Sequence, residues 1–117
     1  MKRLYAAMLN SFRGFACAFK NEAAVRQEIA ALLLALPVGT LVAPSAAWYV
    51  VMIGALLLLI AVELINTAIE KLADHVTPEW HPKVGLIKDY GSAAVFCMLS
   101  LAGLIWIMAL ALRSGLI

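Results

Sequence analysis

The chain has 117 residues, 65% of them hydrophobic and 14% charged, and its mean hydropathy is +0.97. So apolar a composition excludes an ordinary soluble domain of this length and indicates an integral membrane protein. The net charge of +2 is too small to suggest a nucleic-acid partner.

From the N-terminus, Leu4, Met8, Phe12, Phe15 and Phe19 recur at intervals of three or four, interleaved with Arg3, Asn10, Arg13, Lys20 and Asn21. This periodicity predicts an amphipathic helix on the membrane surface within residues 1–27. A bend is expected at Asn21-Glu22, where the chain turns into the bilayer, with Glu22 and Arg26 spaced to pair on the next helix. Three apolar stretches follow, 29–47, 48–70 and 91–112, each long enough to cross about 30 Å of hydrocarbon. Pro37 and Gly39 interrupt the first, and Pro44 is placed to end it. Thr77-Pro78 and His81-Pro82 break the helix after the second, so the connection through Lys88-Asp89 is expected to be an interfacial loop, with the last helix opening at Gly91-Ser92. On that last helix Ala93, Ala94, Cys97, Ser100 and Gly103 would let a neighbour approach closely. With no linker or repeat, the whole chain is expected to be one all-α membrane domain.

Charge orients it. Lys2, Arg3, Arg13, Lys20 and Arg26 precede the first span, and Lys71, Lys83 and Lys88 lie between the second and third, whereas the turn around Pro44 carries none. The positive-inside rule therefore puts the N-terminus and the second connection in the cytoplasm, with Arg113 the one basic residue on the other side. Pro44-Ser45-Ala46-Ala47 resembles a signal-peptide cleavage site, but the region before it is too long and contains Glu22 and Glu28. Cys17 and Cys97 suggest neither a disulfide nor a metal site.

The informative residues are those that break the apolar pattern. Glu63 lies inside the second span, where an ionised group costs roughly 3 kcal/mol or more and is functional by default. At about 100° per residue, Glu63, Asn66, Glu70 and Asp74 share one helical face. That stripe runs from the membrane core toward Lys88 and Asp89. Such carboxylates suit Mg²⁺, which takes one or two of them together with phosphate oxygens and water, and Lys88 would neutralise phosphate charge. Glu63 lies about 10 Å deeper than Glu70, at the depth of a lipid hydroxyl, where it would accept a proton. No soluble nucleotide-binding motif is present, and on pattern alone a small proton- or cation-coupled transporter fits equally well. Three spans enclose little space, so an oligomer is expected.

The wording of three segments goes further. Asn21-Glu-Ala-Ala-Val-Arg-Gln-Glu28, Glu63-Leu-Ile-Asn-Thr-Ala-Ile-Glu70 and Lys88-Asp-Tyr-Gly-Ser-Ala-Ala94 closely resemble the bacterial diacylglycerol kinase family, in order and with matching spacing over nearly the whole chain. The resemblance implies a homotrimer in the bacterial inner membrane, each subunit having a surface helix and three transmembrane helices. Its sites would be shared between subunits, and it would transfer the ATP γ-phosphate to a lipid hydroxyl with Mg²⁺. It implies Glu63 as general base and Glu22 and Glu70 as metal-binding residues that also meet the nucleotide. Asn66 and Asp74 would shape the site. Lys88 and Asp89, and more loosely Glu79, Trp80 and His81, would contact the nucleotide, as would Arg3 and Asn10 from the surface helix. Asn10 stands where the family often has an aromatic residue, and Trp80 replaces a usual Tyr. Arg26, Glu28 and Ser92 align near the lipid pocket. Diacylglycerol and undecaprenol are both acceptors within the family; the first of the three segments resembles the Gram-negative diacylglycerol form more.

Overall fold

The computed structural model describes every residue, Met1–Ile117, and is entirely helical: α1 Lys2–Asn21, α2 Ala23–Val42, α3 Ala46–Val76 and α4 Pro82–Arg113. Helices α2, α3 and α4 are each long and apolar enough to cross a membrane. In hydrocarbon every backbone polar group must find its partner within the protein, which a helix does along its own length. Of 95 backbone hydrogen bonds, 85 lie inside the helices, so the joints are where side chains must supply partners.

The first joint is Glu22, whose extended backbone (φ −117°, ψ 113°) separates α1 from α2. The Arg26 guanidinium reaches back and donates to the carbonyls of Phe19 and Lys20 at 2.8 and 3.0 Å. Those carbonyls belong to the last turn of α1 and have no helical partner of their own. The bend expected at Asn21-Glu22 is therefore present, but the expected Glu22–Arg26 pair is not. Glu22 sits in the break rather than on the face of α2, so the four-residue spacing rule does not apply, and its carboxylate turns to Lys71 instead.

Ala43, Pro44 and Ser45 join α2 to α3. Ser45 caps α3 by accepting from the Trp48 amide at 3.2 Å. Beside this turn the Tyr49 hydroxyl donates to the Leu36 carbonyl at 2.9 Å, in the turn that Pro37 interrupts. The Tyr49 ring packs so close to Gly39 that a Cβ there would lie 3.0 Å from it. Helix α2 thus starts earlier and stops earlier than the expected 29–47, running from the Glu22 break to Val42, short of Pro44.

The largest difference is at the start of α4. It opens at Pro82, well before Gly91, because His81 caps it through Nδ1, accepting from the Lys83 amide at 3.1 Å, and Pro82 carries the preset φ of a first helical residue. Lys88 and Asp89 accordingly lie on the helix, not in the loop expected for them.

Helices α3 and α4 make the most extensive contact; α2 packs on α3 and only grazes α4, and α1 rests against α2. The pairs Lys88–Asp74, Gly91–Asn66 and Trp106–Met52 run in opposite directions along α4 and α3, so the two are antiparallel. Their seam buries Met52, Ala55, Leu59, Ile60, Ala102 and Ala109. Only 12 of 117 residues are buried, whereas Phe96, Leu104 and Ile107 on α4 are about two-thirds exposed. One chain thus lacks the core a soluble protein of this length would need; its outer apolar faces require lipid or other helices. At 1.5 Å per residue the 31 residues of α3 extend about 46 Å, more than the roughly 30 Å of hydrocarbon, so its polar end projects.

Candidate active site

The polar stripe expected on α3 is present and becomes drier toward α4. Glu63 and Glu70 are half-buried, Asp74 is exposed, and Asn66 between them is 7% exposed. The Asn66 amide nitrogen donates to Glu70 Oε1 at 3.3 Å. Its other atom, Oδ1, is turned against Gly91 of α4 and accepts no hydrogen bond. A Cβ on Gly91 would overlap that oxygen and lie 3.2 Å from the Asn66 Cγ. Gly91 is therefore the residue that lets α4 close over the stripe.

Two ion pairs tie other elements to this end of α3. Lys71, one residue beyond Glu70, pairs with Glu22 at 2.9 Å and so fastens the α1–α2 joint to α3. Lys88 of α4 pairs with Asp74. The charges of Glu22 and Glu70 act on Glu63, and that of Glu63 acts on Glu28. Four carboxylates from three places in the sequence thus converge where α2, α3 and the α1–α2 joint meet.

Two clefts flank them. One, of about 740 Å³, lies between α2, α3 and α4; its walls are largely apolar, including Leu34, Val38, Leu99 and Trp106, and it contains the carboxylates Glu28 and Glu63. One Glu28 oxygen is buried there without a partner. The Trp106 indole is held in the wall by donating to the Met52 carbonyl at 3.2 Å. The other cleft, of about 760 Å³, lies between α1 and α3 and is more polar, with Ser11, Asn21, Glu22, Thr67 and Lys71 around it. Both volumes are in the range of small-molecule sites.

The donor chemistry fits a hard divalent cation in an incomplete site. No group of three or more His, Cys, Asp or Glu side chains is placed to hold an ion alone. The oxygens of Glu22 and Glu70 suit Mg²⁺, which completes its shell with phosphate and water.

Other residues singled out in the sequence lie apart within one chain. Arg3, Asn10, Glu79, Trp80, Asp89 and Ser92 are exposed, and no hydrogen bond or ion pair joins them to the cluster. Asn10 accepts from Arg13 at 2.7 Å, His81 is engaged in capping α4, and Arg26 in closing α1. Conversely, sequence reasoning gave no site role to Gly91, Lys71 or Trp106. Gly91 was visible only as a helix opener, and nothing in the one-dimensional pattern pairs Lys71 with Glu22.

Residues 9–110 match the prokaryotic diacylglycerol kinase family. The chain belongs to that family. The diacylglycerol kinase of Pseudomonas aeruginosa is 40% identical over 106 residues, covering 91% of this chain and 86% of that protein. Its counterpart in Escherichia coli K12 is 37% identical over 108 residues, covering 92% and 88%. The Haemophilus influenzae diacylglycerol kinase is 36% identical over 96 residues, covering 82% and 81%. As a member of this family the chain is a membrane-embedded lipid kinase, and the transporter alternative falls away.

The Gly91–Asn66 contact gives a direct test. Gly91→Ala should lower kinase turnover on the order of tenfold or more, because the added methyl must push Asn66 and with it Glu70 out of place. Turnover is measured on protein whose oligomeric state matches the parent; unchanged turnover would show that the close approach does not serve the site.

Proposed function

We propose that this protein transfers the γ-phosphate of ATP to the free hydroxyl of diacylglycerol, giving phosphatidic acid and ADP at the cytoplasmic face of the bacterial inner membrane. The observation that carries this reading is the placement of Glu63, which shares an apolar cleft at the membrane end of the carboxylate cluster with Glu28. A lipid in that cleft keeps its chains against Leu34, Val38 and Leu99 and presents its hydroxyl to Glu63. The Glu63 carboxylate accepts the hydroxyl proton as the oxygen attacks the γ-phosphorus, and the bond to ADP breaks. Glu28 lines this cleft, and Arg26 and Ser92 would reach the lipid only in the assembled, substrate-bound enzyme. That the similar proteins are named diacylglycerol kinases supports this acceptor over undecaprenol.

Glu22 and Glu70 would hold Mg²⁺, which when bound neutralises charge on the ATP phosphates. Asn66 fixes Glu70 by donating to it. Lys88 exchanges Asp74 for a phosphate oxygen, and Asp74 limits where Lys88 can swing. Arg3, Asn10, Glu79, Trp80, His81 and Asp89 contact the nucleotide from a neighbouring subunit or after it binds.

A homotrimer accounts for what one chain leaves open. The small-residue stretch Ala93, Ala94, Cys97 and Ser100 is exposed on α4, as are Phe96 and Leu104 beside it, which suits close packing against another subunit. In the assembled enzyme α1 lies on the membrane surface, its Leu4, Met8, Phe12 and Phe15 turned to lipid.

Three expectations follow from these assignments. Purified protein with labelled ATP and Mg²⁺ should phosphorylate diacylglycerol in preference to undecaprenol, and Glu63→Gln should lower that rate by roughly a hundredfold or more while nucleotide still binds. Substantial turnover by an assembled Glu63→Gln enzyme would remove Glu63 from the chemistry, and label on undecaprenol alone would change the acceptor.

Cysteines introduced at Ser45 and Pro82, in a background lacking Cys17 and Cys97, should react from opposite sides of the membrane, with Pro82→Cys protected from an impermeant reagent outside intact cells. The positive residues around Pro82 demand this; labelling from outside would invert the orientation and remove access to ATP.

Inactive Glu63→Gln and Lys88→Ala subunits, unfolded and reassembled together, should recover part of the parental activity if each site draws on two subunits. No recovery in verified mixed oligomers, for this pair or for either mutant with Glu22→Ala, would mean that each chain builds its own site.

A further inference from the structure

Glu22 is held by a residue to which phosphoryl transfer has so far assigned no part. In this structure the Glu22 carboxylate is already occupied: Lys71 Nζ sits 2.9 Å from Oε1. A carboxylate engaged by an ammonium is a weaker ligand for a second cation, so anything binding Glu22 must first displace Lys71. The pair is unequal in its surroundings. Glu22 is largely covered, its side chain 25% exposed, while that of Lys71 is 69% exposed on the rim of the cleft between α1 and α3. Glu22 is held at the α1–α2 break, between one backbone bond to Ala18 and another from Arg26. Lys71 is an unbranched, rotatable stem whose only recorded partner is Glu22. When the pair opens, Lys71 is the partner that moves, and the space it moves into is a cleft whose other polar side chains include Ser11, Asn21 and Thr67.

We propose that Lys71 is an exchangeable counter-ion of the nucleotide site: it occupies Glu22 in the metal-free enzyme, gives way to the divalent cation, and then binds a phosphate oxygen of the nucleotide. This rests on the reading of Glu22 as a metal-binding residue. It adds a phosphate contact from α3, beside Glu70, to the one ascribed to Lys88 of α4. The site then exchanges cations rather than leaving one unpaired at any stage. Lys71 leaves a carboxylate only when a metal takes its place, and the metal brings with it the phosphates that Lys71 next engages. The two roles pull binding in opposite directions, which a purely structural tie between α3 and the α1–α2 joint would not do.

The test uses the full-length assembled enzyme in lipid and two probes, Mn²⁺ alone, followed by its spin-resonance signal, and the β,γ-methylene analogue of ATP with saturating Mg²⁺, followed by calorimetry. Lys71→Gln should tighten Mn²⁺ binding about two- to fivefold, the range for loss of an exposed ion-pair competitor, and should weaken binding of the ATP analogue by a similar factor. Lys71→Arg should restore the analogue's affinity. Weaker or unchanged Mn²⁺ binding, or analogue binding unaffected by Lys71→Gln, would overturn the proposal. Glu22→Gln separates the two readings. If it leaves Mn²⁺ affinity unchanged, Glu22 is not a metal-binding residue and the role of Lys71 falls with it. If it weakens Mn²⁺ binding while Lys71→Gln shifts neither probe, only the exchange at Lys71 is wrong.

Discussion

Asn66 can be buried between α3 and α4 only because Gly91 has no side chain. The contact sets how closely the two longest helices approach at the polar end of the bundle. At the same end Asn66 donates to Glu70 and Lys88 of α4 pairs with Asp74 of α3. A buried carboxamide oxygen without a donor is costly in an ordinary core, by about 1–3 kcal/mol. Keeping one beside a carboxylate cluster suggests a site whose full complement of partners includes groups brought by ligands or by another subunit.

Within the carboxylate cluster itself negative charge is only partly offset by a paired lysine, although the chain as a whole is net positive. The charge of Glu63 bears on Glu28 and those of Glu22 and Glu70 bear on Glu63, and of these four only Glu22 forms an ion pair. Repulsion among fixed carboxylates in a poorly solvated place is an unstable arrangement unless a cation or a proton relieves it. Under the proposed mechanism, metal-bound nucleotide would supply that relief and leave with it.

The division of labour follows from the bilayer. Apolar matter collects in one cleft, between α2, α3 and α4, and polar matter in the other, between α1 and α3, and Glu63 and Glu22 stand on the respective sides. A lipid hydroxyl and a nucleotide phosphate approach from different media, so an enzyme joining them must sit where the two meet. The Glu22 break sets the α1–α2 joint beside the polar cleft, and Arg26 closes the exposed end of α1 there.

Much of this was legible in the sequence. Bilayer-length apolar runs require helices because hydrocarbon offers the backbone no other partner, and the period of the helix alone puts Glu63, Asn66, Glu70 and Asp74 on one face. The bend at Glu22 was legible from the polar pair that ends an amphipathic repeat, and the family from three segments of wording. What the sequence misplaced were the local joints. Lys88-Asp89 reads as the end of a loop that follows two proline breaks, yet His81 and Pro82 start a helix before it; Glu22 and Arg26 read as a pair, yet an extended residue cannot obey helical spacing. Pairings between distant segments were beyond it altogether. That Lys71 holds Glu22, and that Gly91 admits Asn66, depends on how antiparallel helices are set against one another, and helix periodicity specifies which face a residue takes but not what that face will meet.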